Sequence, residues 1–260
     1  QKALEWLLNH RGFSSEMIEH FPLGLERISA NANPEEKQPP IWEHYWGVGI
    51  FIPVTEQPGR FYRKVRVAPW LNGTQRPDYL RPWYQMGVPT TVWVTENPQD
   101  ASETWFCEGE WDAMRLGWSA RQRGEKVAVA CSTGGCGSLP KLEQLEVLPG
   151  AITIFYDRND SLNKDGLRPG DEGAKKLALA LEGRARIGEV PMPHDCDVKG
   201  WDVSNALDAG YAWSDLKAAA ADATPTAAEN GGNNNPPIGN GGGRRGSRGF
   251  GGGSGNGGRG

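Results

Sequence analysis

Two apolar runs in this chain end in acids. Thr104–Cys107 is followed by Glu108 and Gly109, and Ala151–Tyr156 by Asp157, with Asn159 and Asp160 close behind. In an open α/β sheet, ligands bind at the carboxyl ends of the strands, where a side chain is held rigidly near a partly dry surface. Several carboxylates there repel one another unless a divalent cation neutralises them. Magnesium suits such a site because it takes hard oxygen ligands, keeps several waters and shares phosphate oxygens with a substrate. Two such ions can activate the attacking oxygen and stabilise the leaving one in phosphoryl transfer. The plainer reading is that each acid caps the following helix or faces water. A third apolar run, Lys126–Ala130, leads into Ser132-Thr133-Gly134-Gly135, where small residues allow a backbone to approach a phosphate.

Upstream, the run Arg60–Val67 alternates. Arg60, Tyr62, Lys64 and Arg66 share one face; Phe61, Arg63, Val65 and Val67 share the other. Arg76, Arg81, Trp83 and Tyr84 follow, and five Trp lie between Ile41 and Val94. Cations hold phosphates and aromatic faces stack bases. Equally, the Trp could fill a small β core and the charges could be its solvated face.

The elements that must position these groups follow from periodicity. Leu4, Leu7 and Leu8 recur at helical spacing, and Ser14 or Ser15 can cap a second short helix through Phe21. Residues 30–40 read as a Pro-rich loop. The runs GVGIFIPV and FYRKVRV around EQPGR are a hairpin signal, and residues 68–91 look irregular. From Thr104 onward strands alternate with helices: helix 110–123, strand 126–130, helix 139–147, strand 151–156, helix 171–181, strand 184–190 and one or two helices within 202–222. That alternation predicts an α/β fold with a mostly parallel sheet covered on both faces. Three regions are expected. Residues 1–100 form helices and a basic α+β subdomain, 101–222 form the α/β domain, and 223–260 are a disordered Gly/Arg-rich tail or linker.

Composition narrows the classes. Of 36 Gly, 15 lie between Gly231 and Gly260; the first 229 residues carry about −8, and the tail carries four Arg and no acid. Nucleic-acid contact must then come from local basic patches rather than net charge. The RGG-like spacing at Arg244-Arg245-Gly246 and Arg248-Gly249-Phe250 suits electrostatic single-strand contact or a plain linker. No stretch approaches the roughly 18 apolar residues of a membrane span, and no basic-then-apolar signal segment opens the chain. A cytoplasmic protein is expected, and one that opens at Gln1 reads as a piece of something longer. Cys107, Cys131, Cys136 and Cys196 are scattered without zinc spacing, so no zinc and four reduced thiols are expected. Ser161, Asn163, Asp165, Gly166 and Glu172 imitate a calcium loop, but Ser stands where the first carboxylate belongs and no helix precedes.

The phrase FCEGEWDAMRLG, then IFYDRND, then the Gly-led helix GAKKLALAL together resemble a Toprim domain, over roughly residues 103–210. This domain occurs in bacterial-type primases, phage primase-helicases, topoisomerases and some nucleases. The resemblance implies that Glu108 acts near the metal as acid/base or ligand. It makes Asp112 the second acid of the motif, and Asp157 the first of a metal-holding pair. Two residues on stands Asn159, so Asn159, Asp160 and Asp165 compete for the second place. Lys199-Gly200-Trp201-Asp202 with Asn205-Ala206-Leu207 resembles the segment that follows the Toprim sheet in phage and plasmid replication proteins, which puts Lys199 near phosphates. The opening residues 1–25 resemble the helical start of a primase core. The expectation is a primase core in phage or plasmid replication. It would use Mg²⁺ or Mn²⁺ at Glu108, Asp157 and Asp160, take NTPs and single-stranded DNA, and contact nucleic acid or nucleotide through Arg60, Lys64, Arg66, Gly134, Gly135 and Lys199. A replicative helicase is the expected partner. A non-catalytic DNA-binding module and a Toprim nuclease are the competing readings.

Overall fold

A computed structural model describes residues 1–31, 42–54, 59–67, 83–84 and 89–225. All belong to one packed unit. Of the stretch 68–91 read as irregular, residues 83–84 form a strand, while 68–82 (with Arg76 and Arg81) and 85–88 lie outside the described residues, as do residues 32–40 of the expected loop and the Gly/Arg-rich tail.

Two short helices open the chain, α1 (Lys2–His10) and α2 (Ser15–His20). The side chain of Ser14 accepts a hydrogen bond from the Met17 amide at 3.2 Å, capping α2. They lie against an antiparallel four-stranded sheet in the order β1 (Leu23–Asn31), β2 (Trp42–Pro53), β3 (Phe61–Val67) and β4 (Trp83–Tyr84). The hairpin read from the sequence is β2–β3, which pairs Gly47 with Val67 through Pro53 with Phe61. Strand β1 was not legible in advance. Leu-Gly-Leu-Glu-Arg-Ile-Ser carries no clean alternation, and β1 forms because β2 offers it a nine-residue antiparallel partner.

The second sheet has six strands. β5 (Val92–Glu96), β6 (Glu103–Cys107), β7 (Val127–Ser132), β8 (Ala151–Phe155), β9 (Ala185–Ile187) and β10 (Thr224–Pro225) lie in the order β10-β9-β8-β6-β7-β5. The inner four are parallel and the two edges antiparallel. This is an α/β fold with a mostly parallel sheet flanked by helices, preceded by a smaller antiparallel sheet. Both edge strands belong to this sheet, β5 upstream of residue 101 and β10 beyond residue 222.

The parallel strands are buried on both faces, which is why they read as continuous apolar runs. Alternation divides them between two cores. Trp105, Cys107, Val129 and Phe155 meet α3 (Glu110–Gln122), α6 (Val203–Asp208) and α7 (Trp213–Ala221) on one face. Phe106, Ala130, Ile152 and Ile154 meet α4 (Leu142–Glu146) and α5 (Pro169–Ala180) on the other. A third core joins the halves: Leu7, Phe13, Ile50, Ile52 and Tyr62 pack with Trp111 and Met114 of α3. No helix among the described residues is long and apolar enough to cross a membrane.

Candidate active site

The strand order places the site. The chain passes from β6 outward to β7, then crosses back to β8 on the other side of β6. The ends of β6 and β8 therefore flank the point where the winding reverses, where a crevice opens beyond the strand termini. Cys107 pairs in register with Phe155, so Glu108 and Asp157 emerge side by side. The Asp157 amide donates to Glu108 Oε2 over a long 3.5 Å.

Three further acids join them. Asp112 lies in the first turn of α3, where its Oδ1 accepts from Ser204 Oγ at 2.6 Å and from the Ser204 amide at 3.2 Å. Asp160 accepts from the Gly170 amide at 2.8 Å, at the start of α5. Asp202 was overlooked in the sequence, although it belongs to the Lys199–Asp202 segment singled out there. Arg158 and Trp201 exchange backbone hydrogen bonds at 2.8 Å each, which ties the segment preceding α6 to the one following β8 and carries Asp202 to the rim. There it caps α6 in a reciprocal box with Asn205. That Asp-x-x-Asn spacing was the signal available in the sequence.

The electrostatics record this convergence. Burial, then the charges of Glu108, Asp112, Asp202 and Asp160, push Asp157 up to about 9. Burial and then Asp112 push Asp202 up to about 7. Glu108 is raised by burial and by Asp160, against a hydrogen bond from the Cys136 thiol. Asp112 is raised by burial, against its bonds from Ser204 and the charges of Arg11 and Arg115. Burial and mutual repulsion both favour the neutral, protonated forms of these acids. Hard carboxylate oxygens are the donors magnesium prefers, so the donor set fits that ion. Among the described residues no group of three or more His, Cys, Asp or Glu side chains is placed to hold a metal ion; an ion that keeps several waters draws on fewer direct protein ligands.

Of the three candidates for the place after Asp157, Asp160 is the one whose charge acts on both Glu108 and Asp157. Asn159, in the left-handed region at φ 58°, donates to Val198 O at 3.0 Å and accepts from Arg168 at 3.1 Å. Asp165 sits exposed in a loop that Asn163 organises by accepting from the Asp165 and Leu167 amides. Residues 161–168 thus form a side-chain-stabilised turn beside the rim. Lys199 is exposed, and its neighbour Gly200 (φ 64°) passes so close that a Cβ there would lie 3.5 Å from Asp160 Oδ1 and 3.9 Å from Asp157 Oδ2. The turn after β7 also reaches the rim: Gly134 and Gly135 lead to Cys136, whose thiol is pushed up to about 12 by burial and then by Glu108, Asp160 and Asp157.

The basic strand is placed differently from its expected role. Its Tyr62/Lys64 face turns toward the second sheet. Tyr62 donates to Thr133 O at 2.6 Å, and Lys64 Nζ pairs with Glu110 Oε2 at 2.7 Å. Lys64 is 12% exposed and Glu110 fully buried, so Lys64 serves as a buried tie rather than an open phosphate contact. Arg60 is exposed just before β3. Arg66 lies near enough to Arg11 to lower the latter's pKa, after burial. Arg11, which the sequence did not single out, is held over the indoles of Trp6 and Trp111 at 5.0 and 5.1 Å, facing Asp112 and Asp202. The rim is thus acidic on the sheet side and cationic on the α1 side. All four cysteines are free.

No family model matches this chain, and no curated protein does. Among solved structures, the chain is similar to the primase fragment of the bacteriophage T7 primase-helicase protein, with 13% identity and a TM-score of 0.47, over 80% of this chain and 71% of that one.

Proposed function

We propose that this chain is a Toprim-type DNA primase core, a metal-dependent nucleotidyltransferase that makes RNA primers on single-stranded DNA in phage or plasmid replication. The observation that supports it is the meeting of Glu108, Asp112, Asp157, Asp160 and Asp202, from separate segments, at the winding reversal of a parallel sheet. Together with the motif resemblance it suits phosphoryl transfer, which needs positioning and charge neutralisation more than covalent chemistry. Glu108, Asp157, Asp160 and Asp202 would hold Mg²⁺ or Mn²⁺, which when bound neutralises phosphate charge and activates the attacking oxygen. Glu108, with its raised proton affinity, is suited to exchange a proton with a substrate hydroxyl. Asp112, oriented by Ser204, fixes the start of α3. Arg66, Arg11 and Lys199 supply the cationic side that takes template phosphates, and Gly134-Gly135 leave room for a close approach. A replicative helicase is the partner this reading brings with it.

The test is primer synthesis on single-stranded DNA with NTPs and Mg²⁺ or Mn²⁺, with Glu108→Gln and Asp157→Asn beside the native chain. Metal-dependent synthesis lost in both variants is the expected result. Tight DNA binding without synthesis, unchanged by either substitution, would make the chain a tether. Cleavage of labelled DNA without NTPs would make it a nuclease.

A further inference from the structure

We infer that the groove leading from Asp157 to the edge of the second sheet binds one nucleotide unit: base, sugar and phosphate. The inference rests on the primase reading and names where its substrate lies. Two adjoining cavities form the groove. The inner one, of about 420 Å³, opens beside Asp157 and Asn159, between the ends of β8 and β9 and the first turns of α5. The outer one, of about 500 Å³, lies between β9, β10 and α7. Arg158, Ile187, Glu189 and Met192 line both, so the two cavities adjoin at these residues. Each volume lies within the roughly 300–1,000 Å³ of small-molecule sites.

The chemistry changes along the groove. Its inner end is charged, with Arg158, Arg168 and Lys175 set among Asp157, Asp171 and Glu189, and Lys175 paired with Glu172 at 3.1 Å. Arg168 is fixed there by donating to Asn159 Oδ1 at 3.1 Å and to Asp160 O at 2.8 Å. The outer end offers Pro191, Met192, Tyr211 and Ala218, with the carboxylates of Asp215 and Asp222 at its margin. A nucleotide has the same polarity. Its phosphate is anionic, and its base is flat and apolar-faced, with N–H donors on the edge that acids accept. Arg158 stands at the junction, donating to Val190 O at 2.9 Å and pairing with Glu189 at 3.0 Å. Glu189 is 78% exposed, so that pair is weak. The Glu189 carboxylate then competes with an incoming phosphate for the same guanidinium.

The experiment follows the Met192 methyl by NMR in the full chain. ATP or GTP, inorganic triphosphate and a short single-stranded oligonucleotide are titrated separately. A Met192 shift with NTP but not with triphosphate is expected. A shift with the oligonucleotide instead would assign the groove to the nucleotide at a strand end. Ala218→Trp, at an exposed position on α7, should fill the outer cavity and weaken nucleotide binding at least tenfold. Glu189→Gln should tighten it two- to fivefold. A Met192 methyl unmoved by NTP and oligonucleotide alike would overturn the inference, as would unchanged affinity in both variants. Because the readout needs no turnover, it separates failure of the groove from failure of primer synthesis.

Discussion

Replacing Asp157 with Asn tests the acid rim directly. The Asp157 carboxyl is moved from its ordinary 3.8 up to about 9, so at pH 7 it still holds its proton. To ligate a cation it must release that proton. Across the two pH units from 7 to 9, this costs about 2.7 kcal/mol, or roughly a hundredfold in apparent affinity. Mg²⁺ binding should therefore strengthen about tenfold per pH unit up to pH 9. Stability should move the opposite way. The folded-state value lies above the unfolded one, so the stabilisation from holding the proton is complete below pH 3.8 and is lost as pH rises through about 9. Asn carries no titrating proton, so folding at pH 8 no longer requires this side chain to take one up. Because neighbouring acids share the repulsion and the site is partly wet, about 1–3 kcal/mol is the expected gain at pH 8, or roughly 3–10 °C in Tm. Thermal melts of both proteins at pH 6, 7, 8 and 9, with and without 10 mM Mg²⁺, give the measurement. The native chain should be stabilised by Mg²⁺ increasingly with pH, and the variant hardly at all. If Asp157→Asn melts lower than the native chain at pH 8, or gains equally from Mg²⁺, the rim is not a cation site.

Other outcomes follow from particular contacts. Lys64→Ala strands the fully buried Glu110 carboxylate, whose Oε1 has no hydrogen-bond partner among the described residues. A loss of about 3–5 kcal/mol in urea unfolding is expected, largely recovered by Lys64→Met with Glu110→Leu. Gly173→Ala would set a Cβ 2.5 Å from Cys136 Cβ, prising α5 from the turn that reaches Glu108, whereas Gly137→Ala meets nothing within 4 Å. The first should cost about 1–3 kcal/mol and reduce synthesis, and the second should do neither. Ser204→Ala removes a 2.6 Å bond to the Asp112 carboxylate, one of a kind worth about 1.5–3 kcal/mol. Asp112 then holds its proton more tightly, and the acid limb of the pH–rate profile should move to higher pH.

Much of this molecule was legible before its structure. Strands β6, β7 and β8 are buried on both faces, so their apolar runs identify themselves, and the acids that end two of them stand out against such neighbours. Ser14 announced α2 by local hydrogen bonding, which needs no distant partner. Strands β1, β5 and β10 were not legible, because each is made by pairing with a strand elsewhere in the chain. The direction of Lys64 was also undecided. Alternation assigned it a face, but only the packing of β3 against α3 showed that this face looks inward to Glu110. The same holds for Asp202, a local helix cap in sequence. The exchange between Arg158 and Trp201 carries it to the rim, where the charge of Asp112, 90 residues away in the chain, changes how it holds a proton. Periodicity and local capping are properties of neighbouring residues and so are written in the sequence. Convergence of charges depends on strand order and long-range packing, which only the folded chain decides.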